Sequence, residues 1–205
     1  MRKFGYAVVV AGATAVLTLG NAPQASAAVI NGTNQADVLL GTSDPDSILG
    51  FAGGDTIRGR AGGDEVGAGV GNDNVRGQRG NDYLYGQLGN DEVWGGLDYD
   101  WLYGNRGSDF LSGGLDSDYI YGGPSGDLLT GGPAGDELSP QTGPDDTYGD
   151  DGNDEVYYRV DGSPDFTDCG DGDDTVVVYD GVIEGIDSFV HCENFVDQYA
   201  QRVKR

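Results

Sequence analysis

Basic side chains are scarce in this chain. Eleven Lys and Arg face 35 Asp and Glu across 205 residues, a formal net charge of -24. A polyanion of this kind does not seek DNA, RNA or anionic lipid unaided, so nucleic acid is set aside and cations become the natural partners. Histidine occurs once, at His191, and cysteine only at Cys169 and Cys192. That is too little imidazole and thiol for a zinc site, and no H-E-x-x-H or G-x-S-x-G run is present. His191 lies next to a cysteine and reads as structural rather than as a general base. Carboxylate pairs arise by chance in so acidic a chain and carry no weight as a catalytic signal. The chain therefore reads as a non-enzyme.

Long apolar runs are also missing, with one exception. Arg2 and Lys3, the stretch from Tyr6 to Leu19, and Ala25-Ser26-Ala27 read together as an export signal over residues 1–27. The stretch is short for a membrane span. The expectation is a secreted, extracellular protein with no membrane contact after cleavage. Removal of residues 1–27 takes two basic and no acidic residues, so nine against 35 leave the mature chain at -26. In an exported protein the even pair Cys169 and Cys192 favours a disulfide, which would contribute about 3 kcal/mol for a loop of that length.

What the chain has in excess is glycine, 38 residues of it. Glycine with high charge ordinarily means disorder, because too little apolar surface is buried to offset chain entropy. The spacing excludes that. Aspartate recurs at Asp37, Asp46, Asp55, Asp64, Asp73, Asp82, Asp91, Asp100, Asp109, Asp118, Asp127, Asp136, Asp145 and Asp154, fourteen in unbroken steps of nine. Two residues after each stands an apolar side chain, from Leu39 to Val156, with only Thr147 departing. Five residues before each stands glycine, except at Ala68 and Pro140.

Each unit is thus a flexible turn ending in Asp and a short strand with one apolar residue. One such residue makes no core. Two successive units facing each other across an 18-residue coil do, once coils stack and bury a continuous apolar column between two parallel sheets. The predicted fold is all-β, a right-handed parallel β-roll over residues 28–156. Fourteen units give seven coils, about 34 Å of stack at the usual strand spacing. Collagen is excluded, since glycine is not every third residue.

The segments Gly77-Gln78-Arg79-Gly80-Asn81-Asp82-Tyr83-Leu84 and Gly86-Gln87-Leu88-Gly89-Asn90-Asp91-Glu92-Val93 resemble the G-G-x-G-x-D-x-U-x nonapeptide of hemolysin-type (RTX, repeats-in-toxin) calcium-binding proteins. The resemblance spans about residues 32 to 156. It implies calcium as the cofactor, held by carboxylates and by carbonyls of the glycine turns. Gln35, Asp44, Asp98, Asp116, Ser125 and Ala134 replace the glycine two before the Asp, and Pro140 and Pro144 mark an irregular coil. The expected metal residues are Asp55, Asp64, Asp73, Asp82, Asp91, Asp100, Asp109, Asp118, Asp127, Asp136 and Asp154, with Gly53, Gly62, Gly71, Gly80 and Gly89. The turns at Asp37, Asp46 and Asp145 depart from the pattern most and are left out. RTX enzymes carry their chemistry in a separate domain, whereas repeats fill this mature chain.

Calcium also suits the residues themselves. Carboxylates and carbonyls are hard oxygen ligands, and calcium accepts six to eight of them in loose geometry where magnesium demands tight octahedra. No EF-hand loop is present. Every second turn falls on the same edge and stacks, so Asp55, Asp73, Asp91 and Asp109 form one column and Asp64, Asp82, Asp100 and Asp118 the other. Seven turns per edge leave six gaps, and at most about twelve divalent ions would bring -26 close to neutrality.

Past Asp154 the ruler slips by two residues. Cys169-Gly170-Asp171-Gly172-Asp173-Asp174-Thr175-Val176 is one more degenerate unit, and Val177-Val178-Tyr179 with Phe189 to Phe195 is apolar enough to cover the end of the roll. Residues 157–205 read as a disulfide-tied cap and a tail. The Cys-Gly-x-Gly-x-Asp and Cys-Glu-Asn pieces resemble the ending of small exported bacterial calcium-repeat proteins. Outward positions place Tyr83 and Tyr85, Trp101 and Tyr103, and Tyr119 and Tyr121 as an aromatic block on one sheet. The block is either a stabilising ladder or a surface for polysaccharide or a second copy of the chain. The overall expectation is a calcium-folded structural or adhesive module; the alternative is a polysaccharide-binding or hydrolase-associated protein.

Overall fold

A computed structural model describes residues 27–179 and 187–198; the export-signal reading of residues 1–27 falls almost wholly outside them, as does the basic tail. Nineteen strands among the described residues alternate between two parallel sheets. Odd-numbered strands form a ten-stranded sheet and even-numbered strands a nine-stranded one. The expected β-roll is what forms. Strands two units apart pair in register, as Tyr83↔Trp101 and Leu84↔Leu102 do in the ten-stranded sheet and Val75↔Val93 does in the other.

The apolar residue of each unit is the core. Ile57, Val66, Val75, Leu84, Val93, Leu102, Leu111, Ile120, Leu129 and Leu138 are all at 0% exposure. Burying one such side chain is worth roughly 1.5–3 kcal/mol, and no unit holds more than one or two, so stability depends on stacking. Thr147, the departure from the apolar rule, is buried in register with the equally buried Thr167.

The roll is longer than seven coils. It begins one unit early, with Ile30 in the strand Val29–Asn31 paired to Ile48, and it continues past Asp154. The cap consists of further coils. Glu155–Arg159 pairs with Thr175–Tyr179, which pairs with Asn194–Asp197; on the other sheet Asp146–Asp151 pairs with Phe166–Asp168 and then with Ser188–Val190. The slip in the ruler is absorbed in longer turns, since Asp145 aligns with Asp165 and Asp154 with Asp174 at separations of 20. About nine coils result, roughly 43 Å of stacked strands. Cys169 and Cys192 are bonded, with Cα atoms 5.2 Å apart. Cys169 is fully buried and its N–H donates to Val190 O at 3.0 Å, so the bridge staples the last coil to the one before.

The turns impose the glycines. Gly71 and Gly89 have φ of 149° and 134°, and a Cβ on either would collide with the carbonyl of the glycine one coil earlier. Where glycine is replaced two residues before the Asp, the backbone often keeps the left-handed region: Asp98 and Asp116 have φ 73°, Ser125 101° and Ala134 103°. Asp tolerates that region through local hydrogen bonding, but alanine gains nothing there. Ala134→Gly is therefore expected to stabilise the folded roll by about 1 kcal/mol. Urea unfolding in saturating calcium measures it, and an unchanged or lowered midpoint would contradict the strain.

Candidate metal sites

The edges are built on one repeated bond. From Asp55 onward the Oδ1 of each ladder aspartate accepts the backbone N–H of the aspartate one coil earlier: Asp64 N–H to Asp82 at 2.7 Å, Asp82 N–H to Asp100 at 2.8 Å, Asp91 N–H to Asp109 at 2.8 Å. The series runs unbroken from Asp37 to Asp165 on one edge and from Ala28 to Asp174 on the other, at 2.6–2.9 Å. Glu193 takes the next place, accepting the Asp174 N–H at 3.1 Å.

The second carboxylate oxygen is left over. Oδ2 of Asp55, Asp64, Asp73, Asp82, Asp91, Asp100, Asp109, Asp118, Asp127, Asp136, Asp154 and Asp174 is buried with no hydrogen-bond partner. A buried, underbonded carboxylate is costly, and a column of them more so. All but Asp73 and Asp174, which follow Ala68 and Cys169, sit against the glycine five residues back. A Cβ on Gly77, Gly95 or Gly113 would meet Oδ2 of Asp82, Asp100 or Asp118.

All eleven expected aspartates are in this set. Asp174 joins them; its degenerate turn Gly170-Asp171-Gly172 was the signal for it. Asp37 and Asp46 differ, and Asp145, whose turn carries Pro140, is not in the set. Gly53, Gly71 and Gly89 stack on one edge and Gly62 and Gly80 on the other, each in the left-handed region and packed on the backbone one coil earlier. They let adjacent turns approach closely.

Charge is strained accordingly. Desolvation by burial, with neighbouring ladder carboxylates adding to it, pushes Asp82 and Asp91 up to about 7 and Asp100 and Asp136 up to about 8. Burial is the chief cause at Asp118 and Asp127, also about 7. A divalent ion beside Oδ2 would supply the missing partner and the missing charge together. Hard oxygen donors in a loose glycine cradle fit calcium. No three His, Cys, Asp or Glu side chains converge as a metal group among the described residues, so an ion held here would draw most of its ligands from backbone carbonyls.

The aromatic block lies where the register predicts. Tyr83, Trp101 and Tyr119 stack in one row, with centroids 4.5 and 5.6 Å apart, and Tyr85, Tyr103 and Tyr121 in a second, at 4.8 and 5.0 Å. All four ring pairs are within 10° of parallel, so interior faces are turned to one another and ring edges face outward. Glu65 and Gly67 flank the rows on one side and Glu137 and Ser139 on the other. On the opposite sheet Arg76 lies 4.6 Å from the Trp94 ring centre, a cation–π contact.

The fold and its edges define a class: a parallel β-roll with stacked, underbonded carboxylates along both turn edges. The RTX calcium-binding nonapeptide repeat (4 copies) matches residues 31–66, 67–102 and 103–138, more than half of the chain, and the chain belongs to that family. Repeats of this family bind calcium, and the roll is a structural fold rather than a typical enzyme scaffold. No curated protein matches the chain.

The raised carboxyls set a pH dependence in the absence of metal. Their folded values lie above the ordinary 3.8. Stability is therefore fully present below about pH 4, where both states are protonated, and is lost as pH rises through the folded values. In excess chelator, far-ultraviolet dichroism is expected to show more β-structure at about pH 4 than at about pH 8. A β signal that grows with pH would contradict this.

Proposed function

We propose that the chain is an exported protein whose roll folds when calcium fills the gaps between successive turns, and that its role is structural. The observation that carries this reading is the series of buried Oδ2 atoms without a partner. The ligands would be Oδ2 of the aspartates from Asp55 to Asp136, of Asp154 and of Asp174, with carbonyls of the intervening turns. Asp174 extends the residue set read from the sequence. Without ions, the chain's excess of carboxylates would hold it open by mutual repulsion. With them, the same carboxylates become the adhesive between coils. The Cys169–Cys192 bond accords with an oxidising, extracellular setting.

Binding only to the folded form shifts the equilibrium by mass action, and several sites on one cooperative unit make the transition steep. Calcium titration followed by dichroism is expected to show a sharp rise in β signal on the order of 0.1 to 1 mM, within the extracellular range. The same signal in excess chelator at neutral pH as in saturating calcium would reject the reading.

A second reading, self-association, has its own support. Leu49, Val70 and Leu88 are 40–53% exposed on strands of the same sheet as the aromatic rows, with Phe51 exposed in the turn beside them and Leu49 in line with Gly67 and then Tyr85. Such a surface suits an apolar partner. Polysaccharide is the less favoured partner, because a sugar packs on a ring face and the interior faces are taken by neighbouring rings. Replacing Tyr85, Trp101 and Tyr121 by threonine keeps β propensity and removes the rows. Sedimentation in calcium is expected to show weaker association of this variant than of the parent; equal association in a folded variant would remove the role.

A further inference from the structure

Three of the ladder aspartates have their second carboxylate oxygen closed by a protein donor. Thr33 gives both its N–H, at 2.6 Å, and its hydroxyl, at 2.8 Å, to Oδ2 of Asp37. Thr42 gives its N–H to Oδ2 of Asp46 at 2.5 Å and its hydroxyl to Oδ1 at 3.1 Å. At the far end of the roll, the buried Tyr158 hydroxyl donates to Oδ2 of Asp165 at 2.8 Å.

The two ends reach this by different routes, and both are written in the sequence. Four residues before Asp55, Asp64, Asp82 and Asp91 stand Phe51, Arg60, Gln78 and Gln87, all with φ between 75° and 86°. Thr33 and Thr42 hold the same place before Asp37 and Asp46 and are not left-handed, nor are Gln35 and Asp44 two residues on. A β-branched residue resists positive φ. The threonine turn therefore keeps its N–H pointed at its own carboxylate, where a left-handed turn leaves that oxygen without a donor.

Tyr158 works by occupation. It stands one coil after Pro140 and two coils after Gly122, in the column whose glycines leave open the space beside Oδ2. In this one coil that space holds a tyrosine.

We propose that the turns of Asp37, Asp46 and Asp165 hold no ion: their carboxylates are closed by protein donors and mark the ends of the calcium columns. The inference rests on the calcium reading above and adds to it where the columns stop. Threonine and tyrosine satisfy these carboxylates, which among the described residues have a complete neighbouring turn on one side only or a lengthened turn beside them. An ion placed there would have fewer carbonyls to complete its shell.

The test counts ions per chain by native mass spectrometry at saturating calcium, with dichroism to confirm folding. Asp37→Asn, Asp46→Asn and Asp165→Asn are expected to keep the parent's count, whereas Asp82→Asn loses at least one ion and needs more calcium to fold. A lower count in any of the first three overturns the proposal. An unchanged count and midpoint in Asp82→Asn defeats the calcium reading itself, and this proposal with it. Should Asp165→Asn not fold, Tyr158→Phe decides that end. It is expected to keep the count and unfold at lower denaturant, because it leaves Asp165 without its donor. A lower count in Tyr158→Phe means that the pair held an ion, which overturns the proposal.

Discussion

From Asp55 onward each ladder aspartate accepts, with one carboxylate oxygen, the amide N–H of the aspartate one coil earlier, and the rest of the roll is arranged around that bond. It fixes the register between coils at the one residue where strand and turn meet. It also holds the carboxylate inside the turn, at 0–5% exposure along most of the ladder. A hydrogen bond to a charged acceptor is worth about 1.5–3 kcal/mol, but keeping a carboxylate out of water costs several kcal/mol more when its other oxygen is unpaired. Among the described residues no Lys or Arg reaches these oxygens. The bond that aligns the coils therefore creates the demand for a cation.

Glycine and charge are two sides of this demand. The left-handed turn needs glycine, or a residue that tolerates positive φ, and its close approach to the next turn leaves no room for a side chain that might neutralise the aspartate. A lysine or arginine in the cradle would have to pass through the backbone of the adjacent coil. An ion of small radius, bound by oxygens already present, needs no such room. The same crowding explains why substitutions of the turn glycine two residues before the ladder aspartate run to Gln, Asp, Ser and Ala and never to a bulky cation.

Much of this was legible in the sequence because it is periodic. A nine-residue ruler with an apolar residue at a fixed offset leaves one arrangement that buries all those residues, and Leu84, Leu102 and Ile120 follow it without exception. The aromatic rows were equally legible, since alternation along a strand places Tyr83 and Tyr85 outward once Leu84 is inward. The mutual orientation of the rings was not, because stacking depends on rotamers that the pattern does not set. That the cap is more roll was hidden for a related reason. Beyond Asp154 the turns lengthen, so a search for steps of nine loses the roll although the strands still pair, as Phe166 does with Ser188. Likewise, an aspartate at its expected place does not reveal whether its second oxygen is closed. That depended on Thr33, Thr42 and Tyr158, residues that look like ordinary departures from a consensus.

The placement of those departures bears on how the roll behaves as a whole. A coil contacts only its neighbours, so order spreads from one gap to the next, and a coil contributes one aspartate to each edge. In the calcium reading, filling a gap on one edge fixes the coil that forms half of a gap on the other. Cooperativity then arises from chain connectivity between the two columns, without any ion touching another. Such a system is limited by the cost of its first ordered coil, which gains nothing from a neighbour. At the C-terminal end that cost is reduced by protein alone. The disulfide ties Cys169 to Cys192, Tyr158 satisfies Asp165, and Phe189 packs edge-on against the Tyr158 ring at 5.1 Å. The last coils thus need least from the ion, and they are the ones on which the first calcium gap, between Asp154 and Asp174, can close.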